Sequence, residues 1–434
     1  MEIAISAIQF NHDPASARDS ALNIRKNALQ VLPVPEWRRA AEQVQDSVAA
    51  YSMRDTAGQT IHLRAQFART NPLLDSVEIR AVPAAAEPYP DWWPSYLLQQ
   101  YLMAPYSYFP YSLYALYREY YSYIVETLTT PISRVLGEVE PKRVQFNANG
   151  TTDFVTFDLK EPQLSNMGVG IHPMRWVWQY RRSAGHMWLP FGDSQHTIYT
   201  LLATPTFPWK QQAFNSLNTQ LPWTDVMDFA CQWASGSLNP EEATARITRN
   251  VFDLGPTLLE YDCVGGGNNH YATPIGSGFD CTAFLELLRG GSGNGRYVNC
   301  TDCATIVSTF ANVLGCDLWQ SRMGTVIGPI IFFAVNPIRA IGASTFGVPC
   351  GWPGFTYHEV AWTDNCSAAD MVCDACLEVN GAANPTSAPR IPLLPAGLRF
   401  GATGDGQYRD RLAAPAARAL CEPRPDTRVR RIVF

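Results

Sequence analysis

The sequence predicts an α+β protein: a β-sandwich domain over 1–215, a mixed core of helices and strands over 216–385, and an extended C-terminal arm over 386–434. Three observations carry this reading. Short segments that alternate apolar and polar residues fill the first half, separated by Asn, Gly, Asp and Pro clusters. Near 216 the spacing changes to the helical period, with capping residues in place. Apolar residues make up 46% of 434 positions and charged residues 17%, so the chain can bury a large core and is longer than one average domain.

The strand candidates come first. They are QTIHLRAQFA (59–68), SVEIRAVP (76–83), KRVQFNA (142–148), TDFVTFDL (152–159) and MRWVWQYRR (174–182). Their two-residue period and turn-rich spacing suggest an antiparallel sandwich. The block 88–130 interrupts them. It is dense in Tyr and Pro, and from 111 onward it reads as a helix with a broad aromatic face. It is expected to pack on the sandwich as an insertion. The alternative is a surface for a protein or glycan partner, because exposed aromatic patches bind.

Helices follow. WTDVMDFACQWASG (223–236) has helical spacing. In NPEEATARITRNVFDLG (239–255), Asn239 is an N-cap, Pro240 takes the first helical position, two glutamates fill the first turn, and Gly255 ends it. The loop CVGGGNNHYATPIGSGFD (263–280) lacks a GK[ST] ending, so it is no phosphate-binding loop and is expected to be a flexible surface loop. CTAFLELLRG (281–290) is another short helix. After 385 the chain turns rich in Pro and Gly, then in Arg, and is expected to wrap the core as an arm.

A net charge of −6 argues against a nucleic-acid partner, which needs a basic face. VIGPIIFFAVNPI (326–338) is short and broken by Pro329, Asn336 and Pro337, so it is expected to be a buried strand or loop rather than a membrane span. The start MEIAISAIQF shows no basic region leading into a long apolar core. The expectation is therefore a cytoplasmic protein, or one delivered without a classical signal peptide. Most of the eleven cysteines fall between 263 and 376; free buried thiols are expected rather than a disulfide framework.

The stretch YVNCTDCATIVSTFANVLG (297–315) holds the chemistry. Cys303, Ile306, Val307, Phe310 and Leu314 follow helical spacing as one buried stripe, and Gly315 stands where a C-terminal glycine belongs. Asn299 is an N-cap, and Asp302 is most simply a first-turn helix charge. Cys300 therefore sits at the helix entrance. There the helix N-terminus lowers a thiol pKa and offers N–H groups to a developing oxyanion, which suits acyl transfer given a nearby base. FTYHEVAWTDN (355–365) reads as a strand that carries His358, Val360 and Trp362 on one face, with His358 the candidate base. MVCDACLEVNG (371–381) reads as the next strand, with Asp374 on it as the group that orients the imidazole.

These segments resemble a known family. Cys300, Asp302 and Ala304 followed by FANVLG are similar to the nucleophile helix of the transglutaminase-like superfamily. YHEVAW and VCDACLEVNG are similar to its histidine and aspartate motifs, in the same order. The resemblance covers roughly 220–385. It departs from the family at Val298, where a glycine is usual, and in the spacing of His358 to Trp362. It implies a papain-like α+β core and a Cys300–His358–Asp374 triad for thiol-dependent acyl transfer or hydrolysis of an amide in a protein or peptide, without cofactor or metal. The alternative it admits is a catalytically inactive module that serves as a binding or structural part of a larger assembly. No oxyanion side chain can be assigned by the resemblance; Tyr271, His270 and Trp319 are candidates.

The rival readings are weaker. Cys300/Cys303 and Cys373/Cys376 form two C-x-x-C pairs, on paper a zinc ribbon. If 372–379 is a regular strand, Cys373 and Cys376 point to opposite faces and cannot share a metal. A redox pair at 300/303 lacks its usual preceding aromatic and βαβ context. His270 is an alternative base, poorly oriented by its loop.

Overall fold

The structure is a computed structural model and describes residues 2–12, 18–39, 47–84, 134–211, 220–273, 278–325, 333–352, 354–379 and 398–434. It is a mixed α/β fold with one large sheet and few helices. The expected Tyr-rich insertion at 88–130 lies outside the described residues, as does most of 326–338.

Nine strands of the N-terminal half join in one sheet: β1 (Ile3–Gln9), β2 (Trp37–Arg38), β3 (Ser47–Ser52), β4 (His62–Arg69), β5 (Ser76–Pro83), β6 (Glu138–Gln145), β7 (Val155–Lys160), β8 (Gly170–Arg181) and β9 (Leu189–Leu201). Their order is β2-β1-β4-β7-β6-β5-β8-β9-β3. Alternation drives them: β4 and β5 bury every second residue. β4 and β8 stand four places apart, about 19 Å in a flat sheet. Yet the Phe67 and Trp178 rings meet at 5.6 Å. The sheet therefore folds over on itself around a core of Ile3, Phe67, Ile79, Phe157, Trp176 and Trp178. This corrects the expectation of a purely antiparallel sandwich in two respects. β6 pairs with both β5 and β7, so the sheet is continuous, and β3 runs parallel to β9.

A second hydrophobic cluster occupies the C-terminal half. The helices are α1 (Thr224–Trp233), α2 (Pro240–Asp253), α3 (Cys281–Leu288) and α4 (Cys300–Val313). Asn239 caps α2 by accepting from the Glu242 N–H, with Pro240 following. Two short parallel pairs flank them: β10 (Glu260–Tyr261) with β12 (Tyr297–Val298), and β11 (Gly278–Phe279) with β19 (Ile432–Val433). The main sheet here runs β16-β15-β13-β18, formed by β16 (Val372–Cys373), β15 (His358–Trp362), β13 (Trp319–Met323) and β18 (Pro423–Val429). β14 (Ile338–Ala340) pairs with β17 (Leu377–Val379).

Four expectations are corrected here. α4 is buried on every side, all 14 residues of it, because it lies between α1 and α2 on one flank and β13 and β15 on the other; one apolar stripe was expected. Residues 398–434 do pack on the core, but not as the extended arm expected: α5 (Tyr408–Leu412) packs inward, and β18 and β19 complete two sheets. The described part of the Gly-rich loop is anchored rather than free, since Asp262 accepts the Gly265 and Asn268 N–H groups. Finally, Cys263 in that loop forms a disulfide with Cys350, and the other nine cysteines are free. The partners are 87 positions apart, and only the tertiary approach of two loops selects them.

Candidate active site

α4 begins with a reciprocal capping box. The Asn299 side chain accepts from the Asp302 N–H, and the Asp302 carboxylate accepts from the Asn299 N–H. Asp302 does more than charge the helix end. It also accepts from the backbone N–H groups of His270, Tyr271 and Ala272 at 2.9, 2.9 and 2.7 Å. One buried carboxylate thus ties loop 268–272 to the helix start. Burial raises its pKa even though the four N–H donors pull it down.

Cys300 occupies the first helical position and is 6% exposed. His358 opens β15, which packs on α4. Its ring stacks on Phe355 with centroids 5.9 Å apart. Nε2 lies 2.9 Å from Asp374 Oδ2, which leaves Nδ1 as the other ring nitrogen. Burial works against the charged imidazole. The Asp374 charge and hydrogen bond, then the hydrogen bond and charge of Cys300, outweigh it and push the pKa up to about 10. The structure therefore brings Cys300, His358 and Asp374 together.

Asp374 does not lie on a strand as expected. The segment 371–381 breaks into β16 and β17, and Asp374 sits in the turn between them. The cause is local: Asp374 Oδ1 accepts the N–H groups of Cys376 and Leu377 at 2.8 and 3.0 Å, an Asx-type turn that interrupts the ladder. That interruption also overturns the regular-strand argument about Cys373 and Cys376. The pair does separate, but by the turn: Cys376 hydrogen-bonds with Cys303, while Cys373 meets Thr248 and the charge of Cys316. Among the described residues no cluster of His, Cys, Asp and Glu could hold a metal.

Other predicted residues have side chains engaged by other partners. His270 Nε2 pairs with Asp262 at 3.2 Å. The Tyr271 hydroxyl donates to the Gly295 carbonyl at 2.6 Å, and Trp319 is stacked by Arg428 and Arg430 at 3.6 and 3.8 Å. Two tyrosines not singled out by sequence reasoning flank the thiol instead. Burial, then the charge of Cys300, raises the pKa of Tyr261; the charge of Cys300, then burial, raises that of Tyr357. Tyr261 also lines a cleft of about 210 Å³ with Glu260, Ile338, Ile341, Val348 and the Cys263–Cys350 disulfide.

A second buried network joins the residues next to the candidate pair. Glu359, the neighbour of His358, accepts from the hydroxyl of Thr301, the neighbour of Cys300, at 3.0 Å. Arg431 donates to Glu359 at 2.6 Å, and Arg322 Nε donates at 3.2 Å. The Tyr408 hydroxyl donates to Asp374 Oδ2 at 2.7 Å. Arg431 and Tyr408 belong to the C-terminal segment. Their only sequence signal was the composition shift after 385.

No family model matches the chain, and no curated protein does. Among solved structures it is similar to one described as the crystal structure of red sea bream transglutaminase, with a TM-score of 0.32 and 11% identity over 82% of this chain and 50% of that one. The chain thus spans about half the length of that protein. So loose a likeness carries no argument about chemistry. Among the described residues no helix is long and apolar enough to cross a membrane.

Proposed function

We propose that residues 216–385, completed by the C-terminal segment, form a transglutaminase-like core that cleaves or transfers the acyl group of an amide in a protein or peptide. The N-terminal sheet would present the substrate. The observation that carries the reading is the buried His358 ring, bonded to Asp374 through Nε2 and interacting with Cys300 at a helix start. Thiolate sulfur attacks the carbonyl carbon, and a C–S bond forms as the C=O π pair moves to oxygen. First-turn N–H groups of α4 are the oxyanion donors this reading assigns, with the Tyr261 hydroxyl, kept protonated by burial and close enough to feel the Cys300 charge, as the side-chain candidate. The C–N bond then breaks, with the His358 proton passing to the leaving amine. Water or a second amine, deprotonated by His358, releases the acyl group and restores the thiol. The cleft beside Tyr261 offers a place for a substrate side chain.

The test is selective alkylation. Near pH 6, iodoacetamide should modify Cys300 ahead of the other free cysteines, and His358→Gln should abolish that preference. Amine release from peptide amides should vanish in Cys300→Ala. The burial of Cys300 favours one other reading, a non-catalytic module. Equal, slow modification of all free thiols would select it and sink the catalytic proposal.

A further inference from the structure

Taking Cys300, His358 and Asp374 as the reacting set, we propose that Tyr408 is a positioning residue for it. Its hydroxyl orients Asp374 and limits how tightly that carboxylate holds the His358 imidazolium. The Asp374 carboxylate has four donors: the Cys376 and Leu377 N–H groups on Oδ1, and the His358 ring and Tyr408 hydroxyl on Oδ2. Two backbone donors fix the carboxylate plane from one side. The phenol shares the oxygen that faces the imidazole.

The hydroxyl is separable from the ring. Tyr408 is fully buried, and its ring packs beside Phe400 at 6.3 Å, a contact that phenylalanine would keep. What the oxygen adds is a charge-assisted bond of 2.7 Å to a residue distant in sequence. A carboxylate oxygen with two donors spreads its charge over both. Without the phenol, the imidazolium no longer shares Oδ2 and feels more of the carboxylate charge, the two backbone donors on Oδ1 being unchanged, so it becomes a weaker acid. The leaving amine needs the proton that a tighter pair retains.

The other groups that titrate around this pair are thiols and phenols. Burial raises Cys373, Cys376, Cys421 and Tyr408 itself. Cys303 also stands high: its bond with Cys376 lowers it, but burial together with the charges of Asp302, Asp374 and Cys300 raises it more. Tyr261 and Tyr357 flank Cys300 and are raised as well. Glu359, with Arg322 and Arg431, forms a paired network beside the ring. Apart from Tyr408 itself, these flanking groups remain in both the native protein and a Tyr408 variant, so a change in His358 titration reports on the phenol.

The experiment uses the full chain with ¹³C-labelled histidine, the His358 ring signal being assigned by its loss in His358→Gln. Tyr408→Phe should move the His358 titration upward by about one pH unit, the size of one charge-assisted bond. Amide turnover should fall roughly tenfold, with Cys300 alkylation near pH 6 retained. 3-Fluorotyrosine at position 408 alone exchanges one ring hydrogen for fluorine, keeps the hydroxyl and makes the phenol a stronger donor; it should shift the titration downward. That arm decides the matter if Tyr408→Phe does not fold. An unchanged titration in both variants overturns the proposal, as does a rate loss with an unmoved titration, which marks a merely structural tyrosine. Absence of selective Cys300 alkylation in the native protein is a different result and removes the catalytic reading beneath it.

Discussion

Replacement of Arg431 by methionine isolates the brace between α4 and β15. The Glu359 carboxylate is 1% exposed, and Arg431 is 7% exposed. Arg431→Met strands a buried charge, a loss of about 3–5 kcal/mol when one partner of a buried pair is removed. Arg322 Nε stays 3.2 Å from the same carboxylate, but its side chain is 43% exposed, so it compensates by no more than about 1 kcal/mol. The Thr301 hydroxyl remains as well. The expected net loss is about 3 kcal/mol. With a urea slope near 3 kcal/mol per molar, the unfolding midpoint should fall by roughly 1 M. Adding Glu359→Gln removes the stranded charge and keeps an acceptor for Thr301, and should restore more than half of the loss. Because Thr301 and Glu359 adjoin Cys300 and His358, the single variant should also slow Cys300 alkylation, and the double variant should regain part of it. A loss under about 1 kcal/mol, or a double variant no more stable than the single, would refute the brace.

Three further outcomes follow from the same geometry. His358 is pushed up to about 10 in the folded protein, from an ordinary value near 6.5; a group raised on folding contributes stability that is complete below the unfolded value and lost as pH rises through the folded one. Thermal midpoints should therefore decline between roughly pH 6.5 and 10, and Asp374→Asn, which leaves burial to dominate, should flatten that decline; parallel curves would contradict the assignment. Asp302→Ala orphans four backbone N–H groups and should cost about 3 kcal/mol or more, with faster amide exchange at Tyr271 and Ala272; unchanged exchange there would count against its anchoring role. The disulfide closes 87 positions, so Cys350→Ala should lose up to about 4 kcal/mol of stability against urea; an unmoved midpoint would mean the loops are held without it.

What the amino-acid order determined by itself is local. Alternation in 62–69 and 76–83 specified strands, because a two-residue period leaves one face of a pleat apolar. Asn239 with Pro240, and Asn299 with Asp302, specified helix starts, because a short polar side chain reaches N–H groups only two or three residues away. Gly315, at φ +87°, specified a helix end. These signals were enough to put a cysteine at one helix entrance and a histidine on one strand.

Tertiary structure decided the rest, since it depends on residues that no local period connects. The turn that lifts Asp374 off its strand became visible only with its backbone donors. Tyr408 and Arg431 lie in a segment with no recognisable period, and they matter because β18 and β19 bring that segment back to the sheet. The Cys263–Cys350 pairing and the fold-over of the nine-stranded sheet are likewise choices among many contacts of similar local chemistry. Burial and mutual distance select among them, and both are properties of the packed chain.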